Sequence, residues 1–146
     1  MIQNIIEIAI NAGNAILEIY KEDITVETKS DDSPLTLADK NANEIIVAGL
    51  KQIDNSIPII SEENKLIDYS IRKNWTKCWM VDPLDGTKEF IKKNGEFTVN
   101  IALVENGIPV LGVVHVPAQS VTYYAEKGNG CFKIENGKTT QLHIRK

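Results

Sequence analysis

Thr98 to Ile144 reads TVNIALVENGIPVLGVVHVPAQSVTYYAEKGNGCFKIENGKTTQLHI. Its apolar and β-branched runs predict strands over Thr98 to Val104, Val110 to Val116, Val121 to Ala125, Cys131 to Ile134 and Gln141 to Ile144. Asn106-Gly107, Gly128-Asn129-Gly130 and Asn136-Gly137 separate them. Asn-Gly supplies the positive φ angles of a tight hairpin turn, so consecutive strands must pair antiparallel. The segment predicts a meander.

Upstream the periodicity changes. Ile2, Ile5, Ile6, Ala9, Ile16 and Tyr20 recur at helical steps around Gly13, which predicts an amphipathic helix over Ile2 to Tyr20. Ile24 to Thr28 alternates like a short strand, and Lys29 to Pro34 reads as a polar loop closed by proline. A second helix follows, with Leu37, Ala38, Ala42, Ile45, Ile46, Gly49, Leu50 and Ile53 as its buried face and Thr36 as its N-cap. That start puts Asp39 in the first turn, where a carboxylate offsets the helix dipole. Strands are then expected over Ile57 to Ser61 and Lys77 to Asp82, with a short helix between Leu66 and Arg72. Helices followed by a run of strands predict an α+β fold, two N-terminal helices packed on one face of a largely antiparallel sheet.

Composition narrows the function classes. The chain has 146 residues, 42% of them hydrophobic, enough for one core and one domain. Its 16 basic and 20 acidic side chains give a net charge of −4, so no basic field draws it to nucleic acid. Cys78 and Cys131 have no metal or redox spacing, which together with the polar-punctuated first helix makes a cytoplasmic protein without a membrane span the expectation. His115 and His143 stand alone in apolar strands and read as packing or edge residues, and Trp79 as core.

The chemistry concentrates in Val81-Asp-Pro-Leu-Asp-Gly-Thr-Lys-Glu-Phe90. An apolar strand runs into two aspartates, and proline and glycine offer a turn that lets Asp82, Asp85, the Leu84 carbonyl and the Thr87 hydroxyl face one point. All are hard oxygens, the donors that magnesium prefers. The same pairs are also ordinary turn formers. A second acidic run, Ser61-Glu62-Glu63, ends the preceding strand, and adjacent like charges there call for a cation.

Ser61-Glu62-Glu63 followed by Asp82-Pro83-Leu84-Asp85-Gly86-Thr87 resembles the inositol monophosphatase superfamily of lithium-sensitive, magnesium-dependent phosphatases. Within it, KSDDSPLTLAD (29–39) and DPLDGTKEFIKKNGEFTVN (82–100) are most similar to bacterial 3'(2'),5'-bisphosphate nucleotidases of sulfur metabolism, and the likeness runs along essentially the whole chain. The resemblance implies the N-terminal layer of the inositol monophosphatase and sugar phosphatase fold. It implies Glu62, Asp82, Asp85 and the Leu84 carbonyl as ligands of two or three magnesium ions, with Thr87 completing the sphere and Glu63 supporting it. Asp82 would bridge two ions and Glu62 would hold a further one. Asp39 and Thr87, with Glu62, would be catalytic, orienting and deprotonating the attacking water. Asp85, Gly86, Thr87 and Lys88 would meet the substrate, with Lys92 and Lys93 available to a second phosphate.

The expected reaction is conversion of adenosine 3',5'-bisphosphate to AMP and phosphate. An inositol phosphatase and a non-catalytic, metal-binding remnant are the alternatives. Superfamily members run well over two hundred residues and carry a later Asp-x-Ala-Ala type segment that supplies another metal ligand. The resemblance thus implies residues 1–146 as the N-terminal metal-binding domain, and a missing C-terminal domain is the expectation. Impaired turnover and self-association through uncovered surface are the expectations.

Overall fold

The computed structural model describes residues 1–21, 33–64 and 67–144. The elements are α1 (Ile2–Tyr20), α2 (Pro34–Ile53), β1 (Ile59–Ser61), α3 (Tyr69–Arg72), β2 (Lys77–Asp85), α4 (Thr87–Lys92), β3 (Thr98–Glu105), β4 (Ile108–Val116), β5 (Val121–Glu126), β6 (Gly130–Glu135) and β7 (Lys138–Leu142). A 3-10 turn, Pro117–Gln119, joins β4 to β5. The expected strand over 24–28, most of the loop over 29–34, and Leu66 lie outside the described residues.

The strands form one seven-stranded sheet in chain order. From β2 onward every pairing is antiparallel. The turns after β3 and β6 carry positive φ at both central residues, Asn106 (51°) with Gly107 (77°) and Asn136 (53°) with Gly137 (73°), as a hairpin matching the strand twist requires. The last strand begins earlier than the apolar pattern suggested. Glu135 pairs with Lys138 directly across the Asn136-Gly137 turn, so β7 ends at Leu142 and His143 lies beyond it, exposed.

β1 breaks the antiparallel rule by pairing parallel to β2, Ile59 with Trp79 and Ser61 with Val81. Parallel neighbours need a crossover of about a dozen residues, which the segment holding α3 supplies.

Both long helices cover one face of the sheet, α1 against β3, β4 and β5 and α2 against β2. The core is built from Ile5, Ile6, Ala9 and Ile16 of α1, Ala38, Ala42, Ile46 and Leu50 of α2, and Trp79, Val81, Val99, Ile101 and Val113 of the sheet. Each large side chain so buried contributes roughly 1.5–3 kcal/mol. The α1 stripe falls where expected. The α2 stripe is rotated: Leu35 is buried and Leu37 is 47% exposed. The cause is the cap. Ser33, not Thr36, caps α2, its Oγ accepting the Thr36 amide at 3.0 Å, and Pro34 takes the first helical position. Asp39 accordingly lies in the second turn, on the buried face, and the dipole account of it does not hold.

Candidate metal and phosphate site

The parallel register of β1 and β2 brings both acidic runs to the same end of the sheet. Ser61 stands beside Val81, and the Glu62 amide donates to the Val81 carbonyl at 3.4 Å, so Glu62 leaves the sheet next to Asp82.

Asp82 and Asp85 are not on a turn, as the proline and glycine suggested, but on a bulged strand. Asp82 pairs with Asn100 and Asp85 with Thr98, so two residues of β2, Pro83 and Leu84, stand against one of β3, Val99. In a regular strand residues three apart point to opposite faces. The extra residue cancels that and returns both carboxylates to one side. Pro83 and Leu84 fill the bulge as buried side chains, at a place where the missing proline N–H disturbs no ladder. Asn100 confirms the geometry, its Nδ2 donating to Asp85 Oδ2 at 3.2 Å.

Gly86 then turns the chain into α4 with φ of 92°. A Cβ there would stand 3.1 Å from Glu89 Oε2 and 3.3 Å from Phe97 Cα, so both conformation and space call for glycine. Thr87 and Lys88 open α4 and are exposed. Phe90 anchors this short helix. It is fully buried and meets Phe97 and Tyr20 at 5.5 Å between ring centroids. Lys92 and Lys93 are exposed, and the Lys93 ammonium lies 5.7 Å above the Tyr20 ring.

Asp39 projects from α2 into the same region, 2% exposed. Asp82 registers the gathering of charge: burial first, then Glu62, Asp85 and Asp39, hold its pKa up at about 6. The ion pairs among the described residues, Lys21–Glu18 and Lys133–Glu135, bring no basic group to Glu62, Asp82 or Asp85. Such an array wants a cation. Yet among the described residues no three acidic, histidine or cysteine side chains close around one point as a preformed cage. Hard oxygens that gather without closing fit a hydrated magnesium ion, which keeps waters and takes further oxygens from a phosphate. They do not fit a structural zinc, whose four protein ligands close the site.

Sequence reasoning missed the polar links around these acids. Ser61 Oγ donates to Asn43 Oδ1 at 2.7 Å, and Asn43 Nδ2 donates to Asn64 Oδ1 at 2.9 Å. Asn43 follows Asp39 by four residues on α2, a spacing that puts both on one face and could have been read.

Beside the acids, on the sheet face away from the helices, lies an open trough of about 640 Å³ lined by Ile60, Met80, Ala102, Gly112 and Val114, with Glu62 and Asp82 at its end. Among the described residues no helix is long and apolar enough to cross a membrane.

Comparison with known proteins gives relatives along nearly the whole chain. The 3'(2'),5'-bisphosphate nucleotidase CysQ of Salmonella typhimurium is 48% identical over 99% of this chain and 59% of its own length. That of Escherichia coli strain K12 is 44% identical over the same shares. The chain thus spans about 59% of the length of these curated relatives. The crystal structure of CysQ from Bacteroides thetaiotaomicron superposes with a TM-score of 0.83 at 49% identity, covering 92% of this chain and 48% of that one. An inositol monophosphatase from Zymomonas mobilis gives 0.79 at 30% identity, covering 99% and 52%. The sequence pattern of the inositol monophosphatase family matches residues 1–146 throughout, and the chain belongs to the inositol monophosphatase family.

Proposed function

We propose that this chain provides the metal-binding layer of a magnesium-dependent phosphomonoesterase, a 3'(2'),5'-bisphosphate nucleotidase that converts adenosine 3',5'-bisphosphate to AMP and phosphate. The observation that carries the reading is the bulge that turns Asp82 and Asp85 to one side beside Glu62. The substrate comes from the relatives named 3'(2'),5'-bisphosphate nucleotidase at 44–48% identity.

In this reading Glu62, Asp82, Asp85 and the Leu84 carbonyl would hold the ions, and Glu63 would support them. The chemistry that bound magnesium supplies is charge neutralisation at the phosphoryl oxygens and acidification of a water. The chain's own groups do the rest. Thr87 orients the attacking water and Asp39 accepts its proton, a pairing helped by the packing of α4 on α2. Burial keeps Asp39 away from bulk water, where a base would be diluted among solvent acceptors. Gly86 gives the chain the turn that brings Thr87 and Lys88 to the phosphate, and Lys88, with Lys92 and Lys93 behind it, offers positive charge to the second phosphate.

The open arrangement of the acids favours a second reading, a folded chain that binds magnesium weakly and turns nothing over. Both readings carry self-association through the bare sheet face, where Met80 and Val114 are 49% and 40% exposed.

Phosphate release from adenosine 3',5'-bisphosphate, measured with magnesium and with Asp82→Asn as control, tests the proposal. Magnesium-dependent release that is lost in the variant supports the nucleotidase and excludes the second reading. A folded chain that binds magnesium without release leaves the second reading standing. Faster release from inositol monophosphate would overturn the assigned substrate.

A further inference from the structure

One side chain of α2 holds the acidic loop that follows β1. Asn43 is 9% exposed and sits one helical turn after Asp39. Its Oδ1 accepts from Ser61 Oγ at 2.7 Å and its Nδ2 donates to Asn64 Oδ1 at 2.9 Å. The Ser61 hydroxyl also accepts the Glu63 amide at 3.4 Å, and the Ser61 carbonyl accepts the Asn64 amide at 3.1 Å. Glu62 and Glu63 are therefore the middle of a four-residue turn, 61–64, whose two ends are bound to the same amide. One end uses its oxygen and the other its nitrogen. Ser61 is 6% exposed, so removing the amide leaves a buried hydroxyl without that acceptor.

From this juxtaposition we infer that Asn43 is a positioning residue, fixing Glu62 and Glu63 relative to the Asp39 turn of α2 and so setting magnesium affinity. The inference rests on the metal reading above. Groups that orient ligands without touching the ion change affinity by about 10–100-fold when removed. Among the described residues Asn43 reaches the acids through Ser61 and Asn64, which places it in that class.

The test is Asn43→Ala in the full chain, with magnesium chloride titrated calorimetrically and amide hydrogen exchange followed at Glu63 and Asn64 without metal. Exchange at both amides is expected to rise about tenfold or more, and magnesium affinity to fall by about tenfold. Ala42→Gly, a buried change in the same helix, is the control for lost stability alone and should leave both readouts where they were. Unchanged exchange and unchanged affinity in Asn43→Ala overturn the inference. Asp82→Asn separates the two claims: if it too leaves magnesium binding intact the metal reading fails, while the exchange data still decide the role of Asn43. Should Asn43→Ala fail to fold, Asn64→Ala removes one end of the link from an exposed position. It should then raise exchange at Asn64 and weaken magnesium binding, and no change in either overturns the inference.

Discussion

Ser61 and Val81 are parallel partners, and the residues after them, Glu62 and Asp82, stand side by side in consequence. Without a cation this proximity costs stability, because Asp82 is partly buried among carboxylates. Asp82→Asn removes the charge and keeps an oxygen for the Leu84 amide. In a chelator the variant should be the more stable protein, by about 1 kcal/mol after allowing for solvent screening, or about 2–4 °C in Tm. Adding magnesium should raise the Tm of the parent and not of the variant. A less stable variant in the chelator contradicts the charge-crowding account.

The pH dependence follows with a definite sign. The Asp82 carboxyl titrates near 3.8 when unfolded and near 6 when folded, so the folded chain binds more protons between these values. Its contribution to metal-free stability is greatest below 3.8, falls as pH rises, and is level above about 6. His115 works the other way. Burial depresses its pKa, so its contribution is lost as pH falls below 6.5. Subtracting the melting curves of Asp82→Asn from those of the parent isolates the first term. In a chelator the difference should grow from pH 4 to pH 6, and magnesium, which stabilises the parent alone, should shrink or reverse it. A flat difference means that Asp82 is not crowded.

The meander, α1 and the existence of α2 were legible because each repeats one period over many residues and Asn-Gly marks two of the turns. The start of α2 was misjudged because Ser33 and Thr36 are both capping residues, and Pro34 at the first helical position favours Ser33. The acidic residues could be named from the sequence, yet their convergence could not. It depends on a parallel pairing and on one extra residue in β2, and neither leaves a periodic trace. α4 was hidden because Phe90 holds its six residues through Tyr20 and Phe97, contacts distant in sequence.

Gly13 offers a test of packing against propensity. Alanine favours a helix interior over glycine by about 1 kcal/mol. A Cβ at position 13, however, would stand 2.8 Å from His115 Cδ2 and 3.0 Å from Pro117 Cγ. His115 cannot swing aside freely, since its Nδ1 lies 2.8 Å from Thr122 Oγ1 inside the core. Overpacking of this kind costs about 1–3 kcal/mol, so Gly13→Ala should destabilise the chain by about 1 kcal/mol net. Denaturant melts decide it. A gain in stability would show that α1 has room to lift from β4.

The sheet face opposite the helices carries the last prediction. Cross-strand registry aligns Met80, Ala102, Gly112, Ala125 and Cys131 in one row of small or apolar side chains. The neighbouring row, Asp82, Asn100, Val114, Tyr123 and Lys133, is polar at both ends. A Cβ at Gly112 would meet nothing within 4 Å, so the trough is open to a visitor. Apolar surface of this extent gains by leaving water, and a second copy is the partner always present. The purified chain should therefore sediment faster as concentration rises, and Met80→Glu should hold it at the monomer value with little change in Tm, because position 80 is 49% exposed and outside the core. Faster sedimentation that persists in Met80→Glu would move the contact elsewhere, with the outer edge of β7, which no described strand pairs, as the next place to look. A parent chain that stays monomeric at every accessible concentration would refute self-association altogether.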